Sequence, residues 1–559
     1  MLSAKIPPDV PLYADSSPTG SPYDVITETE QAGRTVLDAI HGEIAVHPLL
    51  WKIIDTEAFQ RLRYIRMLGP AYFVFPGGNH TRFEHCIGVA FLAGEFVTSL
   101  RLRQPELKIT KQDALAVMIA GMCHDLGHGP LSHTFELFMD EVAGDRKWKH
   151  EEASLGMFRY LLEINDLKPI FKEYGLYDID IMFIEELIVG ERHVARPAEK
   201  AFLYEIVANK RNGIDVDRWD YFLRDCHHTN VKMGFENYQR FIRGCRAICF
   251  QGEWQICFRD KLVSNVKSIF HTRCELHRIL YQQKTTRLIE QMVIDALTAA
   301  DSYLKFSGDD GKLRKLSDTV DNMAAYLKAD DTVVNMIRSS DIPELESSRR
   351  LLRRIFARDL YRYVGRSAST ERLDFEKTAL KMELARAATA EVGRDVNVSD
   401  IIIIRTLFDY GMKNANPFSR IGFFSKTSQN QAKILEGAEI TTMLPANWQE
   451  TAIHVYYTKN DVAAVDALKH AFHSWLEERN IPWKTRSESV DELEKPVGLD
   501  GLPDTVGAEN YRALRACLER AYKELPQKDD TMRTIEDVLR RLDQHEANKN
   551  RIVPGKSSE

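Results

Sequence analysis

The sequence predicts a mainly α-helical protein, with one β-hairpin set into its helical core and a small α+β lobe toward its C-terminus. Three observations carry this. In TRFEHCIGVAFLAGEFVTSLR, Phe83, Ile87, Phe91 and Leu92 share one face at helical spacing. QDALAVMIAGMCHDLGHG is apolar on nearly every side, as a buried helix is, and breaks at Gly127 and Gly129. RAICF-QGEW-QICFRD alternates in period two about a glycine-containing turn, the pattern of a hairpin.

In chain order, residues 1–33 are rich in Pro, Ser and Gly and read as a flexible arm. Residues 34–300 hold the helical core. Residues 301–395 continue as charged helices. Within them RRLLRRIFARDLYR (349–362) reads as a basic amphipathic helix, either a solvated face over a Leu/Ile/Phe stripe or a contact for nucleic acid or an import receptor. From Val396 the β-branched and aromatic runs DIIIIRTLF, RIGFFSK and AIHVYYTK, followed by the helix DVAAVDALKHAFHSWLEERN, predict an α+β lobe over 396–484. Residues 485–559 read as a polar linker and a tail with two short charged helices. His41-Gly42 reads as a turn.

Composition sets the outer limits. The chain has 559 residues, 75 Lys+Arg against 82 Asp+Glu and a net charge of −7. At ~150 residues per domain that length corresponds to roughly three or four domains. With 44% hydrophobic residues the chain can bury a large core, which excludes general disorder. The acidic balance excludes a general nucleic-acid coat, so any anion site must be a local basic cluster. No uncharged apolar run reaches the ~18–20 residues that span a bilayer. Pro and acidic residues stand where a secretory segment would be apolar. Eight cysteines are too sparse and irregular for a disulfide framework. An intracellular protein, nuclear or cytoplasmic and without a membrane association, is expected.

Chemistry concentrates at His85, the pair His124-Asp125, and Asp217. Two imidazoles and two carboxylates make a mixed N/O set suited to Fe, Mn, Zn or Co, and such an ion polarises a phosphoryl oxygen or activates a water. HDLGHGPLSH carries His124, His128 and His133 in ten residues around a Gly-Pro turn. That density suits a phosphate site, where imidazole serves as ligand, proton donor and anion partner. Asp217, Tyr221 and Asp225 share one helical face.

His85…His124-Asp125…Asp217 resembles the H…HD…D signature of the HD-domain phosphohydrolases. The strings FQRLRYIRMLGPAYFVFPGGNHTRFEHCIGVAFLAG, AGMCHDLGHGPLSH, FLYEIVANKRNGIDVDRWDYFLRDCHH and FHTRCELHRILYQQK resemble, more narrowly, the animal sterile-alpha-motif/HD-domain dNTP triphosphohydrolases, from about residue 34 to about 480. The sterile alpha motif itself is not expected in the 33 Pro-rich residues ahead of the match.

The resemblance implies a reaction, dNTP + H2O to deoxynucleoside and inorganic triphosphate, which lowers cellular dNTP pools and serves antiviral defence. It implies one transition metal (Fe, Zn or Mn) on His85, His124, Asp125 and Asp217, with His128, His150 and Glu136 as the catalytic acid–base group. Arg82 and His133 would hold the α-phosphate. Arg218, Tyr221, Arg273 and His277 would hold the triphosphate, and Tyr281, Asp225, Gln282, Met67 and Leu68 would surround sugar and base. It further implies a guanine-nucleotide activator pocket at Arg34, Thr35, Asp38, Asp55, Gln60 and Arg63. A partner-subunit side at Arg240, Arg259, Lys261, Asn265 and Lys284 would hold a dNTP activator through Mg²⁺. Nucleotide binding would then drive assembly to a homotetramer.

Several positions depart from the family: Arg218 replaces a Lys, Glu136 an Asp, Met67 a Gln, Gln283 a His and Gly244 a Phe. A thioether at Met67 is a weak acceptor and no donor, so rNTP hydrolysis is a second reading, beside a nucleic-acid substrate. A third is a nucleotide-sensing or single-strand nucleic-acid-binding scaffold with little turnover. Cys249 and Cys257 flank the hairpin turn, where the family has redox-sensitive cysteines; an ordinary turn leaves them out of register.

Overall fold

The computed structural model describes residues 34–482 except 145, 146, 236, 371, 372, 374 and 443. The expected arm (1–33) and the linker and tail (485–559) lie outside the described residues.

Two crossed helices build the centre. Arg82–Arg103 opens on a capping box in which the Thr81 N–H donates to Glu84 (2.7 Å). Lys111–Cys123 opens on the reciprocal pair Thr110/Asp113, at 3.0 Å in both directions. Every residue from Asp113 to Cys123 is buried, as the continuous apolar run requires. The two helices meet at Gly121, where a side chain would sit 3.2 Å from the Val89 carbonyl oxygen. That close approach brings the His85 and His124 rings to 5.2 Å between centroids. Arg82–Arg103 is long and apolar enough to cross a bilayer, yet 78% of its most apolar stretch is buried inside the protein, which marks a core helix.

Val216–Thr229, N-capped by Asp215, crosses the first of these helices and presents Asp217, Asp220, Arg224 and Asp225. Val263–Leu276 runs into a single π-helical turn, His277–Tyr281, before Lys284–Ala300 begins. Gln283 caps that last helix by accepting from the N–H groups of Thr285 (2.6 Å) and Thr286 (2.8 Å).

The expected hairpin forms as Cys245–Phe250 against Glu253–Arg259. Cys249 faces Trp254 and Cys257 faces Arg246, so the two cysteines are not cross-strand partners. Four features differ from the sequence reading. Thr35–Asp38 and Gly42–Ala45 form a second hairpin in the region read as helical. Phe423–Phe424, within RIGFFSK, pairs in parallel with Glu253–Arg259 and so joins the core hairpin's sheet instead of the lobe. The basic helix stops at Phe356, Arg358 is left-handed (φ 59°), and Arg362–Ser369 is a strand. It is one edge of a three-stranded sheet whose centre is Gln449–Tyr457 and whose other edge is Ile401–Asp409. Pairing with that central strand overrides the local helical pattern, so the lobe's sheet begins ahead of residue 396. The region 301–395 also holds the short hairpin Lys305–Ser307/Leu313–Lys315. Val462–Glu477 covers the lobe.

Candidate metal centre and active site

His85 lies one turn into its helix, His124 and Asp125 follow the end of theirs, and Asp217 sits in the first turn of a third. His85 Nε2 is 3.2 Å from Asp217 Oδ1 and 3.4 Å from Asp125 Oδ2. His124 Nε2 is 3.4 Å from the same Asp217 oxygen and 3.5 Å from Asp125 Oδ1. Both Nε2 atoms are buried and make no well-directed hydrogen bond. Their other nitrogens are committed: His85 Nδ1 to Asp220 (2.7 Å) and His124 Nδ1 to the Gly121 carbonyl (2.8 Å). A carbonyl only accepts, so the His124 proton sits on Nδ1 and its Nε2 lone pair points inward.

Burial alone would lower His85 and His124, but the surrounding carboxylates outweigh it and raise both. Burial would likewise raise Asp125 and Asp217. Arg82 and the histidines around Asp125, and His124 and His85 beside Asp217, hold both below the carboxylate range. The cluster therefore demands positive charge at one point. Two orphaned imidazole nitrogens and two carboxylates fit a divalent ion bound there.

Next to it lies a proton-handling group. His128 Nε2 is 3.4 Å from Asp125, and its ring stacks on His150 at 4.0 Å and 17°. Glu136 Oε1 accepts from both His150 Nδ1 (2.6 Å) and His133 Nδ1 (3.0 Å), so the longer acidic side chain engages both rings. Burial, Arg82 and His150 push His128 well down. Burial also lowers His150, but Glu136 raises it above its ordinary value. The two stacked imidazoles are thus pushed in opposite directions, the arrangement that separates an acid from a base. His128, His133, Glu136 and His150 also have cation-binding spacing; Glu136 already engages His133 and His150, while His128 Nδ1 is buried without a hydrogen-bond partner.

Supporting residues that the sequence reading missed come from far along the chain. Leu131 and Ser132 are both left-handed (φ 60° and 57°), a strained pair that needs external support. Asp331 supplies it, accepting from the N–H of Leu131 (2.6 Å) and from the N–H (3.0 Å) and Nη1 (3.3 Å) of Arg66. Burial pushes Asp331 up to about 6 against those donors. Tyr326 donates to the Gly127 carbonyl (2.7 Å). Ser132 Oγ donates to the Arg66 carbonyl (2.7 Å) and accepts from Arg82 Nε (3.0 Å), while Arg82 Nη1 pairs with Asp125.

The remaining expected substrate residues line up along the helices beyond. Arg218 Nη1 is buried without a partner and packs on Gly213, where a side chain would come within 2.1 Å of it. Arg273 Nη1 donates to the Asp409 carbonyl (2.8 Å) and carboxylate (2.7 Å), tying the core to the lobe's edge strand. Burial together with Arg273 and Arg218 pushes His277 down to about 3. Gln282 Nε2 lies 3.2 Å from its Nδ1. Tyr281 donates to Asp225 (2.7 Å), whose other oxygen meets His80 (2.7 Å), and Tyr221 lies edge-on to Tyr281 at 6.4 Å. Met67 is buried and Leu68 half-buried. A cleft opens on the metal centre, lined by His124, Asp125, His150, Asp217 and Arg218 together with Glu151, Asn209, Lys210 and Asp215. The run NKRNGID was the available signal for the last three.

The expected activator residues divide. Arg34 and Asp55 form a two-pronged ion pair (2.9 and 3.3 Å) with Arg34 over the Trp51 ring at 3.7 Å. Thr35 is exposed beside it. Gln60 accepts from Arg63 Nε (2.7 Å), and Arg63 lies over Phe83. Asp38 is turned away, its side chain buried against Arg224. Arg259 ends the core hairpin's second strand, Lys261 and Asn265 follow it, Arg240 lies ahead of the hairpin and Lys284 begins a later helix; Arg240 and Lys261 are exposed.

A helical core carrying a His/His-Asp/Asp cluster defines an HD-domain protein, and the HD domain family profile matches residues 82–225. The likeness extends well past that domain. The chain is 43% identical over 467 residues to human deoxynucleoside triphosphate triphosphohydrolase SAMHD1, covering 80% of this chain and 74% of that protein. It is 34% identical over 463 residues to the Dictyostelium discoideum SAMHD1 homolog, covering 82% and 84%. A putative HD domain-containing protein of Acanthamoeba polyphaga mimivirus, L394, is 26% identical over 446 residues, covering 75% and 90%. The chain belongs to the SAMHD1 family of deoxynucleoside triphosphate triphosphohydrolases.

Proposed function

We propose that the chain hydrolyses dNTPs between the α-phosphorus and the 5′ oxygen, giving a deoxynucleoside and inorganic triphosphate. The observation that carries this is the pair of orphaned Nε2 atoms on His85 and His124, facing Asp125 and Asp217 beside the stacked rings of His128 and His150. His85, His124, Asp125 and Asp217 hold the metal, which polarises a phosphoryl oxygen and lowers the pKa of water when bound.

Arg82 and His133 orient the α-phosphate. Arg218, Tyr221, Arg273 and His277 receive the triphosphate, for which the planar guanidinium forks are well matched. Neutral His128 accepts the proton of the attacking water. The imidazolium of His150, kept charged by Glu136, returns a proton to the departing 5′ oxygen. Tyr281, braced on Asp225, closes the sugar side; Gln282, Met67 and Leu68 border sugar and base.

A guanine nucleotide at Arg34, Thr35, Asp55, Gln60 and Arg63, and a dNTP with Mg²⁺ at Arg240, Arg259, Lys261, Asn265 and Lys284 of a partner, support a homotetramer as the active form. Turnover inside the cell, in nucleus or cytoplasm, lowers dNTP pools, the setting of an antiviral role. Met67 favours one second reading, hydrolysis of rNTPs, because it offers no hydrogen bond to the sugar.

The test is metal removal and restoration, with the four dNTPs and four rNTPs assayed with and without GTP. Turnover of dNTPs that is lost with the metal and regained with Fe, Mn or Zn supports the proposal. Preferential rNTP turnover supports the second reading. No turnover with any metal or activator overturns both.

A further inference from the structure

We propose that the tip of the hairpin Thr35–Asp38/Gly42–Ala45 is a positioning element of the metal centre, in which Asp38 and His41 lock Asp220 and Arg224 and, through them, the imidazole of His85. This rests on the metal reading of His85 given above. His41, read from sequence as a turn residue, lies 179 positions from Asp220 and meets it at 2.7 Å.

Asp220 is a fully buried carboxylate whose two oxygens take four donors. Oδ1 accepts from His41 Nε2 (2.7 Å) and Arg224 Nη2 (2.9 Å). Oδ2 accepts from His85 Nδ1 (2.7 Å) and Arg224 Nε (2.8 Å). Its hydrogen-bonding capacity is thereby filled. The third arm of Arg224, Nη1, donates to Asp38 Oδ2 (2.9 Å). The other Asp38 oxygen accepts from the backbone N–H of Ile40 (2.8 Å) and His41 (2.9 Å) and shapes the turn that delivers His41. All five side chains are at most 3% exposed. The His41 ring is held against Phe91 and Tyr238, with centroids at 5.3 and 5.7 Å.

The space for this network exists because residue 88 is glycine. A side chain there would lie 2.0 Å from Asp220 Oδ1 and 2.6 Å from Arg224 Nη2. The carboxylate that fixes the tautomer and tilt of a metal-binding imidazole is itself fixed from two sides, by Arg224 on its own helix and by the hairpin tip. Docking of the hairpin and orientation of His85 are therefore one event. Linkage makes the coupling reciprocal: an ion on His85 must strengthen the hairpin's docking as much as docking strengthens the ion's hold.

The experiment loads the full-length protein with Mn²⁺ and follows metal loss into excess chelator, with hydrogen exchange of residues 35–45 measured with and without the ion. His41→Ala is expected to lose Mn²⁺ faster by roughly 10–100-fold, the range for losing a partner behind a metal ligand. His41→Gln, whose amide can still donate to Asp220, should recover most of that. Asp38→Asn should show a smaller loss in the same direction. Leu468→Ala, in the core of the distal lobe, should lower Tm without changing the rate. In the wild type, Mn²⁺ should slow exchange in the hairpin. Wild-type retention in His41→Ala, or equal loss in Leu468→Ala, overturns the inference while leaving the metal reading intact. A wild-type protein that takes up no ion overturns the metal reading, and the inference falls with it.

Discussion

At the metal centre the Nε2 atoms of both imidazoles are buried and the rings are braced from behind, His85 by Asp220 and His124 by the Gly121 carbonyl. At the Arg34–Asp55 surface the two charges are 52% and 53% exposed and satisfy each other. The first arrangement is preorganised by one chain: its atoms wait for a cation. The second must open its own ion pair before a ligand can use it, and exposed pairs of that kind contribute little to stability. Such a pocket gains affinity only when further groups close over it. This is why the proposed activator site is assigned to an assembly and the proposed catalytic site to a single subunit.

The sharpest way to break this comparison is at the preorganised end. His124→Ala or Asp125→Ala should cut turnover by about 10³-fold or more while far-UV circular dichroism stays native. Near-normal rates in either variant would remove the metal assignment. Asp55→Ala should abolish GTP stimulation, a loss of tenfold or more on the order expected for a coupling of ~1.4 kcal/mol, with metal content unchanged. Undiminished GTP dependence would refute the pocket.

Glu136→Gln sharpens the proton assignment. Glu136 raises His150, and an acid that must be protonated loses activity as pH climbs through its pKa. Removing the carboxylate lowers that pKa, so the alkaline limb of the kcat profile should move toward acid. An unmoved limb would separate Glu136 from His150.

The smallest effect lies away from both sites. Burial and the nearby Arg366, Arg287 and Lys284 push His454 down to about 3, from an ordinary 6.5. Its folded-state pKa is depressed, so its contribution to stability is complete above pH 6.5 and is lost as pH falls toward 3. His454→Gln should therefore flatten the acid limb, sparing about 1–2 kcal/mol between pH 6.5 and 5 in urea titrations. Parallel acid limbs in both proteins would show that His454 is not the group responsible.

Legibility in the sequence follows the range of the interactions. The two core helices and the core hairpin were readable because apolar helical periodicity and period-two alternation about a glycine-containing turn act within a dozen residues. His85, His124, Asp125 and Asp217 stood out because histidines crowd a glycine-rich turn; the structure brings their atoms within 3.2–3.5 Å.

What was not readable depends on distant partners. Arg362–Ser369 follows an arginine-rich helix without a break in pattern, and it becomes a strand only beside Gln449–Tyr457. Phe423–Phe424 looked like part of the lobe, but its neighbour is Glu253–Arg259. Asp331 acts on a loop 200 positions away, and His41 on a helix 179 positions away. No local spacing announces either contact.

The most direct test of the central claim is to run the reaction in H2¹⁸O with metal-loaded protein and a dNTP, and to identify the products by mass. The proposed chemistry predicts inorganic triphosphate carrying one ¹⁸O together with unlabelled deoxynucleoside. Label in the deoxynucleoside, or release of pyrophosphate with a nucleoside monophosphate, would contradict it.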